Sequence, residues 1–364
     1  MKRFIHLGAL LLLAAACAGE DQSRLTAPAA GLAAAKTATS SSSISVTDLG
    51  TLGGTTSGAL SLNTPSGGNR LLIVGSSADK AGVTRAAYWY VNGLTGTRQV
   101  GMLPAAASDA QSGANSVNQA EQVGGGSATT VGGLGRPVQW ASTGSPASLL
   151  NISGFTNGSV LKVTPTGQGM GAVSDAGGDK PAIWDGGNLT LLPGLGGTTF
   201  IEDANVAGVI VGIGKYTNAA GGQRAVVWTN GSISQLPDGG SNSFALGIND
   251  AGIIVGMDWT SAGGSRAVRW LPPVMVGGVY IKEDLGVPGD AYDINNVGEI
   301  VGQSCAPGQV CKPFYWLNGV LKYLPMLQPV RGGGARAINE NGDVTGWSRL
   351  PSNYEHAVLW THVR

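Results

Sequence analysis

Ile248-Asn249-Asp250-Ala251-Gly252-Ile253-Ile254-Val255-Gly256 reads as a hairpin, and Arg266-Ala267-Val268-Arg269-Trp270 follows it. Asn and Gly bracket two residues, which suits a type I turn opened by Asn and closed by Gly in the left-handed conformation of a bulged hairpin. The run Ile253-Ile254-Val255 is β-branched and too short for a helix, so it reads as a strand. The turn returns clearly at 294–302 and 338–346 and in weaker form at 205–212 and 164–171. Within the last of these, Thr164-Pro165-Thr166-Gly167 puts Pro where such a turn holds φ near about −65°.

Tryptophan returns with it, as Trp89, Trp140, Trp184, Trp228, Trp270, Trp316 and Trp360, at steps of 51, 44, 44, 42, 46 and 44. Propeller blades use roughly 40 to 50 residues. Four places before each Trp stands a basic residue, in turn Arg85, Arg136, Lys180, Arg224, Arg266, Lys312 and His356, followed by Ala or Pro. Upstream of the turn lies a Leu-rich piece, as at 48–52, 189–193 and 321–325. Each repeat thus holds four short strands. Seven such repeats predict an all-β fold, a seven-bladed β-propeller of four-stranded antiparallel blades, whose closure leaves only short edges. An open solenoid is the rival, but it needs an atypical polar cap, and here the seventh signature stays intact to Trp360. Because 46–52 stands alone before the first repeat, it is expected to complete the blade of 335–360 and so close the ring.

Composition agrees with this architecture. The chain has 60 glycines in 364 residues, about twice the usual share, which implies many turns. A hydrophobic fraction of 42% is enough to bury a core. With 22 Lys+Arg against 22 Asp+Glu, a basic nucleic-acid binder is excluded as the expected class.

The first residues carry an address. Lys2 and Arg3 precede an apolar run at 7–16, the n-region and h-region of an export signal and too short to span a bilayer. Leu13-Ala14-Ala15-Ala16-Cys17 resembles a bacterial lipobox, which implies cleavage and lipidation at Cys17; an ordinary signal peptide is the alternative. The expected organisation is a signal at 1–16, a lipidated Cys with a flexible Ala/Ser/Thr tether at 17–44, and the propeller at 45–364. Export permits oxidation, and Cys305 and Cys311 flank a Pro-Gly turn, so a disulfide is predicted between them.

The basic-Ala-x-x-Trp and Ile-Asn-x-x-Gly-x-Ile-Val-Gly motifs resemble the bacterial extracellular HAF repeat over residues 45–364. Only His356 supplies the family's His and only Phe314 its Phe. The resemblance implies export and a repeat scaffold, and brings no catalytic residue with it.

No catalytic residue is assigned. His356 and His362 are the only histidines after processing, so neither a His-based triad nor a three-His zinc site is available, and no metal or cofactor is expected. Residues 293–298 partly imitate a calcium loop, but Val297 stands where an oxygen ligand is wanted. Strand alternation puts the Asn-x-x-Gly turns on one face and the variable connections on the other, where binding groups are expected on a rigid scaffold. That loop face holds the two tryptophans outside the period, Trp259 and Trp347, with Lys215, Tyr216, Asp258 and Tyr354 as further candidates. The seven periodic tryptophans are read as blade packing and their basic partners as local hydrogen-bonders. The expected function is a non-catalytic, monomeric scaffold, lipid-anchored to the bacterial outer membrane or cell surface, binding a glycan or protein ligand through the loop face. The alternative is a propeller hydrolase or lyase using channel carboxylates.

Overall fold

The computed structural model describes residues 44–65, 70–92, 95–216, 222–239, 242–260, 263–275, 278–361 and 363. The expected signal segment, Cys17, nearly all of the tether, and His362 therefore lie outside the described residues. Regular structure among the described residues is entirely β. One antiparallel sheet runs Gly53–Leu62, Arg70–Asp79, Thr84–Asn92, Arg98–Met102, and the next runs Gln111–Val117, Val123–Ala128, Arg136–Trp140, Ser148–Leu149. A third runs Asn157–Val163, Gly169–Asp175, Gly178–Asp185, Asn188–Leu191, and a fourth Gly196–Ala204, Ile210–Tyr216, Arg224–Thr229, Ser232–Gln235. In each, strands pair in chain order, and the first strand lines a central channel. The arrangement is a β-propeller.

A seven-stranded sheet continues the series through Ser243–Ile248, Ile254–Trp259, Ser265–Leu271, Ile281–Ile294, Ile300–Ser304, Lys312–Leu317 and Val320–Tyr323. Its middle strand, 14 residues long, serves two neighbours. Residues 281–288 pair with Ser265–Leu271, and 289–294 pair with Ile300–Ser304. Around that junction the backbone is left-handed at Gly286 and Gly289, with φ of +79° and +125°. A Cβ at Gly289 would also strike the carbonyl oxygen of Gln303, so glycine is required there twice over.

The last sheet joins the two ends of the chain. Gly333–Ile338, Val344–Arg349 and Glu355–Thr361 receive Ser45–Gly50 as their fourth strand, from Ser45 opposite Thr361 to Gly50 opposite Ala357. The lone Leu-rich piece therefore pairs where the repeat phase puts it. His356 Nδ1 lies 2.9 Å from Asp48 Oδ2 across this seam.

The repeated asparagine does two jobs. Asn249 Oδ1 accepts the Ile253 amide at 3.0 Å, and the Gly252 amide donates to the Asn249 carbonyl at 3.0 Å, which holds the turn. Its Nδ2 then reaches the neighbouring turn and donates to the Asn295 carbonyl at 3.1 Å. Asn205 does the same to Asn249, Asn295 to Asn339, and Asn339 to Asn63 at 3.0 Å, carrying the clasp from the last repeat to the first. Asn118 likewise donates to the Thr164 carbonyl at 2.9 Å. Thr164, standing where the others have Asn, keeps the first job, its Oγ1 accepting the Gln168 amide at 3.0 Å. Its side chain is too short for the second.

The core lies between sheets. Trp270 packs with Val268 of its own sheet and with Val211, Val227 and Leu236 of the preceding one. Trp89 packs with Leu49, Ala337 and Leu359 across the closing seam. Six of the periodic tryptophans are at most 1% exposed, and Trp316 is 6% exposed, which agrees with a packing role. Their indoles add direction, since Trp140, Trp184, Trp228, Trp270 and Trp360 donate to Pro104, Asn151, Pro193, Pro237 and Pro325 carbonyls at 2.6–2.8 Å. Each acceptor lies in the link leaving the preceding sheet. Where the residue four places earlier is Arg, it is neutralised locally. Arg85 pairs with Asp79 at 3.0 Å, Arg136 with Asp109, Arg224 with Asp238 at 3.3 Å and Arg266 with Asp284 at 3.0 Å.

Candidate functional site

The glycine that ends each Ile-Val-Gly segment shapes the channel. A Cβ on Gly75, Gly125, Gly171, Gly212, Gly256, Gly302 or Gly346 would collide with a carbonyl oxygen of the adjoining first strand. That first strand is crowded there because it bulges. Register slips between Ala59 and Ser61, Ala114 and Ser116, Val160 and Lys162, and Ile201 and Asp203. It slips again between Ala245 and Gly247, Ala291 and Asp293, and Ala335 and Ala337. A bulge leaves one residue unpaired and re-aims its side chain. The seven residues skipped in the register are Leu60, Asn115, Leu161, Glu202, Leu246, Tyr292 and Arg336, and all seven line one cavity.

In four of these strands the next residue accepts an amide of the neighbouring sheet. Ser61 Oγ accepts the Val117 amide at 3.2 Å and Ser116 Oγ the Val163 amide at 3.0 Å. Asp203 Oδ2 accepts the Ile248 amide at 3.0 Å and Asp293 Oδ2 the Ile338 amide at 2.9 Å. These carboxylates therefore have structural work, in contrast to Glu202 one position earlier.

The cavity measures about 530 Å³ and runs from the bulge ring to the loop face, where Ser76, Thr84, Cys305, Trp347, Arg349 and Glu355 form its mouth. Cys305 is bonded to Cys311, with the Cα atoms 4.3 Å apart, so the predicted disulfide braces the rim. Arg349 pairs with Glu355 at 3.0 Å, its guanidinium 5.6 Å over the Trp347 ring. Deeper, Lys162 Nζ meets Asp203 Oδ1 at 2.6 Å. Tyr292 donates its hydroxyl to Asp290 Oδ2 at 3.1 Å and lies 4.0 Å beneath the Arg336 guanidinium.

Burial sets the protonation of this interior. It pushes the Glu202 carboxyl up to about 8, helped by the charge of Asp203. Burial, again with the Asp203 charge, raises Asp293 to about 7 against the opposing pull of Lys162 and of the Ile338 and Ile294 amides. Asp290 and Tyr292 are raised above their ordinary values by burial as well, with Arg336 opposing. Burial alone would lower Lys162, but Asp203 and then Asp293 outweigh it and hold the ammonium above its ordinary value. Glu202, raised by burial, thus stands beside Asp203, which pairs with Lys162, in one channel.

Of the six loop-face candidates, the structure brings Trp347 alone into the cavity wall. Lys215, Tyr216, Asp258 and Trp259 end second strands on the same face but in other sheets. Trp259 packs against Ile213, Phe244 and Met257 in a side cluster. Asp258, 3% exposed, accepts the Gly239 amide at 2.9 Å and pairs with Lys282, so it props the rim rather than facing a ligand. Lys215, Tyr216 and Tyr354 are exposed and outside the cavity wall. The bulge ring escaped the sequence reading, although it always falls three residues before the first residue of the turn. No group of His, Cys, Asp or Glu among the described residues is arranged to hold a metal ion.

No family model matches the chain, and no curated protein sequence matches it. Among solved structures, the β-propeller domain of the Trilobed protease from Pyrococcus furiosus is similar, with a TM-score of 0.53 at 8% identity. The likeness covers 84% of this chain and 96% of that one, whose topology is an open velcro. An acylaminoacyl peptidase is similar at a TM-score of 0.48 and 9% identity over 84% of this chain, and Trypanosoma rangeli sialidase at 0.44 and 8% over 84%. This chain spans about half of those two longer proteins, 51% and 54%. At such identities the likeness to the first establishes the propeller fold and carries nothing about activity.

Proposed function

We propose that this chain is an exported seven-bladed propeller scaffold of the HAF-repeat type, lipidated at Cys17, that binds a glycan in the mouth of its channel. The seven-blade count divides the 14-residue strand Ile281–Ile294 between two blades, its halves pairing with different neighbours. The observation that carries the binding reading is the cavity itself. It opens on the variable face, and its inner ring sets amide, carboxyl, phenol and guanidinium groups of Asn115, Glu202, Tyr292 and Arg336 among the leucines Leu60, Leu161 and Leu246. Polar groups few in number and fixed on strands, with Tyr292 and Trp347 offering flat apolar surface, match what a polyhydroxylated ligand needs.

A glycan array probed with the purified protein tests this reading. Binding to at least one glycan class is expected, with Trp347→Ala weakening it by about 2 kcal/mol, the usual loss for an aromatic at a binding centre. Trp259→Ala, remote from the cavity wall, is expected to leave it unchanged. Loss in Trp259→Ala alone, or no binding on the array, would count against the channel mouth.

A hydrolase or lyase is the second reading, favoured by the contrast between Glu202, held protonated near neutrality, and Asp203, paired with Lys162. Divergent carboxyls of this kind are what acid–base chemistry uses. Mass spectrometry of bound glycans after incubation separates the two, because cleavage abolished by Glu202→Gln supports catalysis and intact glycan supports binding.

A further inference from the structure

We propose that the channel takes a ligand bearing a free amine, and that the Glu202 carboxyl receives it; given the glycan reading, on which this rests, the ligand is an amino-sugar oligosaccharide. The charges around the cavity leave one group without a counterpart. Glu202, Asp203, Asp290, Asp293 and Glu355 face Lys162, Arg336 and Arg349 there. Lys162 is engaged by Asp203 and Arg349 by Glu355. Arg336 lies over Tyr292, which bonds Asp290. Asp293 gives its two oxygens to the Ile294 and Ile338 amides at 2.8 and 2.9 Å. Glu202 sits on the bulge and lines the cavity, partly buried, with no side-chain hydrogen bond to any described residue.

Its neighbours in the bulge ring, Leu161 and Leu246, are apolar, and Lys162 beside Leu161 is engaged by Asp203. A carboxyl crowded by protein and by the Asp203 charge, with no cation of its own, keeps its proton toward neutrality. An entering ammonium changes that balance. It supplies the missing cation and donors, Glu202 ionises, and its proton leaves to solvent, so that charge is conserved as an ion pair forms. A neutral acetamido group in the same place makes no ion pair. A divalent metal is disfavoured because the described carboxylates form no chelating group.

Isothermal titration of the purified protein with chitosan oligosaccharide, and with its fully N-acetylated counterpart, tests this on the wild type. At about pH 7 the amine form is expected to bind at least about tenfold tighter, the worth of one charge-assisted hydrogen bond. Titration at about pH 5.5, where the sugar amine is already an ammonium and Glu202 still carries its proton, in two buffers of different ionisation enthalpy is expected to show release of close to one proton per site. Glu202→Gln should erase the proton release and bring the two oligosaccharides to similar affinity. Equal affinity for both oligosaccharides, or a preference without proton release, overturns the amine inference and leaves the glycan reading standing. Failure of both oligosaccharides together with an empty array overturns the glycan reading as well.

Discussion

Replacing Asn249 separates the two jobs of the repeated asparagine. Asn249→Thr copies the chemistry that blade three already uses at Thr164, where a hydroxyl still accepts the turn amide. Only the bond from Nδ2 to the Asn295 carbonyl is then lost, and that carbonyl keeps the Gly298 amide as a donor at 3.0 Å. One hydrogen bond whose acceptor stays satisfied is worth about 1 kcal/mol. Asn249→Ala loses that bond and also strips the Ile253 amide of its acceptor. A donor left unpaired costs a further ~1–3 kcal/mol, so Ala is expected to cost about 2–4 kcal/mol in all. Urea unfolding followed by tryptophan fluorescence measures both, with the slope required to stay constant so that midpoints report stability. The expected order is wild type, then Thr, then Ala. A Thr variant as stable as wild type would show that the clasp contributes nothing, and equal loss in Thr and Ala would show that the turn amide does not need its acceptor.

The same reasoning runs in reverse at Thr164, where Thr164→Asn is expected to add the missing clasp and gain about 0.5–1.5 kcal/mol in the same assay. Deleting residues 18–43 should leave the melting temperature nearly unchanged, whereas deleting through Gly50 removes the strand that pairs with Glu355–Thr361 and should lower it strongly; equal melting temperatures would refute closure by that strand. Intact mass after alkylation without reductant should show no addition at Cys305 or Cys311, and two additions would refute the bond. Glu202 and Asp293 have folded pKa values raised above their ordinary ones, to about 8 and about 7, so the folded state binds the extra protons. Their contribution is fully present below about pH 4 and is lost as pH rises through 7 and 8, at up to about 1.4 kcal/mol per pH unit for each group. Stability from this source should therefore fall from pH 5 to pH 9, and Glu202→Gln should flatten the slope; an unchanged slope would remove Glu202 from the account.

What the sequence makes legible is whatever repeats. The Asn-x-x-Gly turns, the tryptophan period, the solitary Leu-rich strand and the cysteines flanking a Pro-Gly turn each announce a local structure that depends on few neighbours. The partners of the basic residues are harder to read. Asp79, Asp109, Asp238, Asp284 and Asp48 lie at unequal distances along the chain from Arg85, Arg136, Arg224, Arg266 and His356, and only the sheets bring them together. Trp259 shows the opposite difficulty. Standing outside the period it invites a ligand role, yet its surroundings are the apolar side chains of Ile213, Phe244 and Met257.

The bulge ring was hidden by the same physics that makes it useful. Period-two alternation assigns residues to faces only while register holds, and the bulge breaks register at the residue that enters the channel. Repetition then points away from it, because Gly256 and its six equivalents are constrained by a carbonyl oxygen whereas the residue they release is not. Leu60, Leu161 and Leu246 share this position with Asn115, Glu202, Tyr292 and Arg336, so the bulge accepts side chains of different size and charge. Asp203 and Asp293, one residue further on, show where that freedom ends: both bond the backbone of the next sheet, and their charge is tied to holding the ring together. A repeat protein of this kind divides its labour within three residues of one strand, so a ligand site can change by substitution at the bulge while the clasp, the bridge and the tryptophan beside it continue to hold the ring.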